Sequence, residues 1–158
     1  MSGVTPIPEG VPRLTPHLVV KGAFEAIAFY GRSLDARELY RCLSPDGRRV
    51  LFAELVIQEA RFFVVDEMPE QGALGPATRG GSSVALHLFV EDVDAAFAQA
   101  VAAGMNVEIP LADFFWGERY ASLRDPFGHL WGLASRREDL SPSEIQRRSD
   151  DFFRRHTS

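Results

Sequence analysis

Two stretches of this chain carry the same order of hydrophobic patterns, and a duplication of that kind leaves few folds open. The first runs as an alternating strand over Leu14 to Val20, a helix over Ala23 to Leu34, and strand-like stretches at 37–43, 50–58 and 61–66. Ser44-Pro45-Asp46-Gly47 has the residue types of a hairpin turn between the first two of these. After a Gly/Pro-rich stretch from Met68 to Ser83 the order returns. A strand over Val84 to Val90 is followed by a helix over Val93 to Ala103 and by strands near 106–111, 119–124 and 129–135. Asp125-Pro126-Phe127-Gly128 marks the last turn. Both halves read βαβββ, and a shift of 70 residues lays Val20 on Val90, Ala26 on Ala96 and Ala28 on Ala98. The same shift lays His17 on His87 and Glu54 on Arg124. A repeated unit of this size buries its sheet face only with a partner.

The predicted architecture is therefore α+β: two βαβββ modules forming a curved mixed sheet around a cleft, plus a C-terminal helix. Within one domain of 158 residues it comprises an N-terminal arm (1–13), a first module (14–67), a linker (68–83), a second module (84–135) and a C-terminal helical extension (136–158). The tail opens with Ser141-Pro142-Ser143-Glu144, a capping box with proline at the first helical position. Ile145, Ser149, Phe152 and Phe153 give that helix a short apolar stripe, suited to packing on the domain or on a second subunit.

Composition removes several classes of function. Apolar residues at 46% and charged residues at 25% fit a globular protein, and no apolar run reaches the length of a membrane span. A net charge of −5 offers no clustered basic face, so a nucleic-acid partner is not expected. The single cysteine, Cys42, excludes an intramolecular disulfide framework and reads as a small apolar filler. The start, MSGVTPIPEGVP, lacks a basic, apolar leader, and the expected compartment is the cytoplasm. Lys21, the only lysine, is a weak candidate for Schiff-base chemistry, and no GxSxG elbow, P-loop or GxGxxG is present.

Strand alternation assigns Leu18, Val20, Leu86, Leu88 and Val90 to the helix side, and Thr15, His17, Val19, Ala85, His87 and Phe89 to the opposite side. In the third strand Leu51, Ala53, Leu55 and Ile57 form the helix-side set, while Phe52, Glu54 and Val56 face the other way. Aromatic and ionisable groups thus share one face, the lining expected of a ligand pocket. Glu54 lies between apolar neighbours and needs a partner or a ligand; its repeat mate Arg124 is one candidate. Phe52, Phe63, Phe89, Phe114, Phe115, Trp116, Tyr120 and Trp131 supply rings for stacking or for cation–π contact. Phe114 to Trp116 are the best candidates for a pocket wall. Arg119 reads as a surface or interface residue, and His129 and Trp131 as facing away from the cavity.

The strings TPHLVV, AIAFY, FAELVI, LHLFVEDVDAAFAQAVAAG, FFWGERY and RDPFGHLWGLA carry a further signal. Over residues 12–140 the chain resembles the vicinal oxygen chelate superfamily, the glyoxalase, bleomycin-resistance and extradiol dioxygenase group, and within it the PhnB-like branch. That resemblance implies a homodimer whose cleft includes residues of both chains. In metal-dependent members it implies His or Glu ligands on the first and last strands of each module, at positions that fall here on Thr15, Ala85 and Gly132, with Phe62 as the repeat counterpart of Gly132. None of the four is a metal donor. A divalent metal displaced along the strands onto His17, His87 and Glu54 is the alternative.

Two functions follow as expectations. The leading one is a small-molecule-binding protein without the family's metal, taking an amphipathic, aromatic, antibiotic-like compound. Phe52, Phe89, Phe114 and Trp116 would hold its apolar part, and His17, Glu54, His87 and Arg124 its polar groups. The other is a lyase, isomerase or cyclase with His87 and Glu54 as catalytic groups, either metal-free or with the displaced metal. A filled-in cleft with no ligand is the third possibility.

Overall fold

A computed structural model describes residues 3–157; residues 1 and 2 of the expected arm and residue 158 of the expected extension lie outside them. The chain forms two compact units, the first ending at Gly81 and the second beginning at Ser82.

In the first unit, β1 (His17–Val20), α1 (Ala23–Leu34), β2 (Arg37–Leu43), β3 (Val50–Ile57) and β4 (Ala60–Asp66) follow in order. The sheet order is β1-β4-β3-β2, with β1 parallel to β4 and the other pairs antiparallel. Leu18, Val64 and Ala53 stand side by side across three strands and are buried against α1, as are Phe62 and Leu55. The Tyr30 ring of the helix meets the Phe62 ring edge-on at 5.7 Å. The first strand is shorter than its apolar pattern. Pro16 has no N–H to give a ladder and its carbonyl accepts from Phe63 N at 2.8 Å, so Leu14 and Thr15 belong to the arm. The Gly/Pro-rich stretch is folded, with a 3-10 turn at Pro69–Gln71 and a single helical turn, α2, at Pro76–Arg79.

The second unit repeats the plan with β5 (Ala85–Phe89), α3 (Val93–Ala103), β6 (Asn106–Asp113), β7 (Glu118–Arg124) and β8 (Leu130–Arg136), in sheet order β5-β8-β7-β6. Leu88, Leu133 and Ala121 take the places of Leu18, Val64 and Ala53. The last strand of each unit caps the helix of that unit. The Asp66 carboxylate accepts from the N–H groups of Gly22, Ala23 and Val50, and Ser135 Oγ accepts from Val93 N while donating to Val90 O. Helix α4 (Pro142–His156) ends the chain, with Ser141 Oγ as its N-cap acceptor from Glu144 N.

Register corrects the repeat arithmetic. His17 pairs with Phe63, and Phe63 with Glu54; His87 pairs with Gly132, and Gly132 with Ser122. The offset is therefore 70 on the first strand, 69 on the last and 68 on the third. The connections account for it: residues 44–49 join β2 to β3, whereas only 114–117 join β6 to β7, and the two-residue turn 58–59 is answered by 125–129. The counterpart of Gly132 is thus Phe63, on the face away from the helix, and not the buried Phe62. Glu54 answers to Ser122, and Arg124 to Val56.

Candidate functional site

In each unit the sheet face away from the helix is open and carries the aromatic and ionisable residues that alternation assigned to it. Across the first sheet, His17, Phe63, Glu54 and Tyr40 stand in one row. The Phe63 ring meets His17 edge-on at 6.2 Å and Phe52 at 4.8 Å. The expected Glu54 to Arg124 ion pair is not formed. Glu54 Oε1 accepts from Arg61 Nη1 at 2.6 Å, because Arg61 lies one pleat along the neighbouring strand. Arg124 donates instead to Glu108 at 2.7 Å and to Gly128 O at 3.3 Å. Both carboxylate and guanidinium find their charge within their own sheet, from a cross-strand neighbour.

The second sheet concentrates more chemistry. The His87 imidazole stacks on the Tyr120 ring, 5.5 Å between centroids with 13° between planes, and lies 4.7 Å from the Phe89 ring. Trp116 and Phe114 stack on each other at 4.4 Å, and both meet Tyr120 edge-on, at 6.1 and 5.7 Å. Glu118 joins the two halves of this cluster. Its Oε2 accepts from Trp116 Nε1 at 3.0 Å and sits 3.5 Å from His87 Nε2. His87 is the only ion-pair partner of Glu118 among the described residues. The carboxylate is 17% exposed and is set among rings, where it is poorly hydrated and its field is strong.

Local sequence explains why these groups converge. The turn Phe114-Phe115-Trp116-Gly117 closes with Gly117 N donating to Phe114 O at 3.0 Å, and Gly117 adopts φ +90°. A side chain there would strike Glu138 O and Leu140, so the turn is clamped against the chain entering α4. The tight turn separates three consecutive aromatics. Phe114 and Trp116 join Tyr120, whereas Phe115 turns to α4 and packs 5.4 Å from Phe152 and 6.5 Å from Phe153. Trp131 faces the helix side, as alternation required; it is 3% exposed and donates to Asp125. Arg119 binds Asp94 at 2.8 Å and Asp113 at 3.3 Å on the surface, and this guanidinium holds the Asp94 carboxyl below its usual range.

Glu118 is the site residue that sequence reasoning missed. Its only local signal was its place after Trp116-Gly117, the kind of turn that folds an indole N–H back onto the next side chain.

The family's metal positions do not fit a metal here. Thr15, Ala85, Gly132 and the corrected counterpart Phe63 offer no imidazole or carboxylate. The space a side chain would need at Gly132 is taken: a Cβ there would lie 2.7 Å from Tyr120 Cε2 and 3.3 Å from His87 Nδ1. Of the displaced set, the first unit holds His17 and Glu54 on either side of Phe63, and the second holds His87. Within neither unit do three His, Cys, Asp or Glu side chains gather into a ligand set among the described residues.

The repeated sheet plan has counterparts among known proteins. An uncharacterized protein of Mycobacterium bovis is 41% identical over 138 residues, 85% of this chain and 90% of that protein. The crystal structure of TioX from Micromonospora sp. ML1 superimposes with a TM-score of 0.62 at 24% identity, covering 82% of this chain and 100% of TioX. A PhnB protein from Bacillus cereus gives a TM-score of 0.60 at 18% identity, over 78% of this chain and 99% of that one. The family model of the Glyoxalase/Bleomycin resistance protein/Dioxygenase superfamily matches residues 11–133, through both βαβββ units and the open faces just described. With that match spanning both copies of the repeat, the chain belongs to the glyoxalase/bleomycin resistance protein/dioxygenase superfamily.

Proposed function

We propose that the protein binds an amphipathic aromatic compound carrying a positive charge, and that the aromatic face of the second unit is the recognition surface. One observation carries this reading: the Glu118 carboxylate, with no Lys or Arg partner among the described residues, stands within a cluster of His87, Trp116, Phe114 and Tyr120. Rings offer flat contact area and a negative π-face, and a poorly hydrated carboxylate supplies a counter-charge, so an aromatic cation satisfies both. Phe89, 59% exposed beside His87, extends the apolar floor. The first unit contributes Phe52 and His17 to apolar and polar contacts on its own open face. Glu54 and Arg124 are secondary, since each already has a partner of opposite charge. Phe89 and Tyr40 expose more than half their surface on the two open sheet faces, which supports a homodimer.

Titration with berberine, a planar aromatic cation, tests the reading by tryptophan fluorescence and calorimetry. Saturable binding of one equivalent, weakened about tenfold by Glu118→Gln, supports it; a tenfold loss corresponds to about 1.4 kcal/mol, the scale of one partly buried contact to a charged group. Equal affinity of the wild type and Glu118→Gln removes Glu118 from recognition, and absence of binding across a panel of aromatic cations removes the class.

The same pair favours a second reading, metal-free acid/base chemistry in which His87 moves a proton and Glu118 orients its ring. Turnover of a carbonyl or 1,2-oxygenated substrate, abolished by His87→Ala in a folded protein, would establish it. Among the described residues no helix is long and apolar enough to cross a membrane.

A further inference from the structure

The arm before β1 borders a groove of its own. Between it and the open face of the first sheet lies a solvent-open groove of about 470 Å³, lined by Pro6, Ile7, Val11, Pro12, Arg13 and Phe63. That volume is in the range of small-ligand sites. The wall is prefolded: Val11 N donates to Pro8 O at 3.4 Å, Thr15 Oγ1 donates to Pro12 O at 2.8 Å, and Pro16 O accepts from Phe63 N at 2.8 Å. Proline rings at 6, 8, 12 and 16 restrict the backbone beforehand, so little further ordering is needed when a ligand enters. Gly10, at φ +73°, lies so close to Arg61 that a Cβ would come 3.2 Å from Nη2, which seats the arm on the Arg61 side chain.

The charges here are unequal. Arg61 is matched by Glu54 at 2.6 Å, whereas Arg13 ion-pairs with no carboxylate among the described residues. The groove beside α4, of about 370 Å³, also carries a guanidinium with no ion pair among the described residues, Arg155, but a carboxylate, Asp151, lines it too. The arm groove combines an apolar wall with one unmatched guanidinium, Arg13, and no lining carboxylate.

We propose that the arm groove is a binding site for a small organic carboxylate with a ring or short-chain body. The carboxylate pairs with Arg13, and the body packs between the prolines, Ile7 and the Phe63 ring. This site lies in the first unit and selects the opposite charge from the aromatic face of the second, so it stands or falls independently of the function proposed above.

Amide NMR titration of the full chain with phenylacetate tests it, with phenylacetamide and phenethylamine as neutral and cationic shape mimics. Phenylacetate should shift the amides of Ile7, Val11, Arg13, Thr15 and Phe63 saturably with a millimolar Kd. The neutral mimic should bind about fivefold more weakly, the upper range for an exposed ion pair, and the amine more weakly still. Arg13→Gln, an exposed change that leaves the fold intact, should reduce phenylacetate to the affinity of phenylacetamide. Saturation mapped elsewhere, equal binding of acid and amide, no saturable shift at all, or an unchanged Kd in Arg13→Gln would each overturn the proposal.

Discussion

The His87 imidazole and the Tyr120 ring lie nearly parallel, 13° between planes, across the backbone of Gly132, the residue that pairs with His87 on the neighbouring strand. The stack exists because Gly132 has no side chain: a Cβ would lie 2.7 Å from one ring and 3.3 Å from the other. At Gly132 the chain has room only for the two rings to close over the strand.

Gly132→Ala should force Tyr120 off His87 and destabilise the second unit by about 1–3 kcal/mol, the usual cost of overpacking. Urea denaturation gives the stability, and ring-current shifts of the His87 protons report the stack. A variant of wild-type stability with unchanged His87 shifts would show that the rings are not in contact with the strand.

Glu118 and Glu54 should separate cleanly in ligand affinity. Arg61 already neutralises Glu54 at 2.6 Å, whereas among the described residues the only ionic neighbour of Glu118 is His87 at 3.5 Å. Berberine affinity should therefore fall about tenfold in Glu118→Gln and less than twofold in Glu54→Gln. The reverse ranking in a paired calorimetric measurement would move recognition to the first unit.

Asp125 holds the last turn of the second module together. Its carboxylate accepts from Phe127 N at 2.9 Å, His129 N at 3.0 Å and Trp131 Nε1 at 2.9 Å, and it is 2% exposed. Asp125→Ala leaves these donors without their acceptor, at a cost of about 3 kcal/mol or more. A thermal melt shifted by under one degree would contradict the assigned role.

Helix α4 should resist acid. Arg147 and Arg148 hold the Glu144 carboxyl down to about 2, and Arg148 also lowers Glu138. Because the folded-state values are depressed, these contacts contribute fully above the ordinary value of 4.5 and are lost only as pH falls toward about 2. Arg148→Gln removes its pairs with Glu144 and Glu138 at every pH, so its loss of α4 protection relative to the native protein should be full above pH 4.5 and shrink as pH falls toward about 2. Hydrogen exchange of the α4 amides across that range is the measurement; identical protection in both proteins would exclude the pairs as the anchor.

The modules were legible because strand alternation and helix period are local. The bounds of α1 at Ala23–Leu34 and α3 at Val93–Ala103 coincide with the sequence pattern, and so does β2 at Arg37–Leu43. The turn at Ser44 to Gly47 closes with Gly47 N donating to Ser44 O at 2.8 Å, as its residue types required. The faces were legible too, with Leu18, Ala53 and Leu55 buried and His17, Phe52 and Glu54 turned away from the helix.

Partnerships were a different matter. A constant shift of 70 made Glu54 the mate of Arg124 and Phe62 the mate of Gly132, but turn lengths alter the offset on each strand, and a slip of one residue exchanges the two faces. The sequence by itself determined the elements and which side chains share a face, since both follow from periodicity along a single strand or helix. Tertiary structure alone decided which residues meet: Glu54 with Arg61, His87 with Tyr120 over Gly132, and Glu118 within the rings. Those contacts depend on cross-strand register and on the clamped turn at Gly117, neither of which is a property of any one segment.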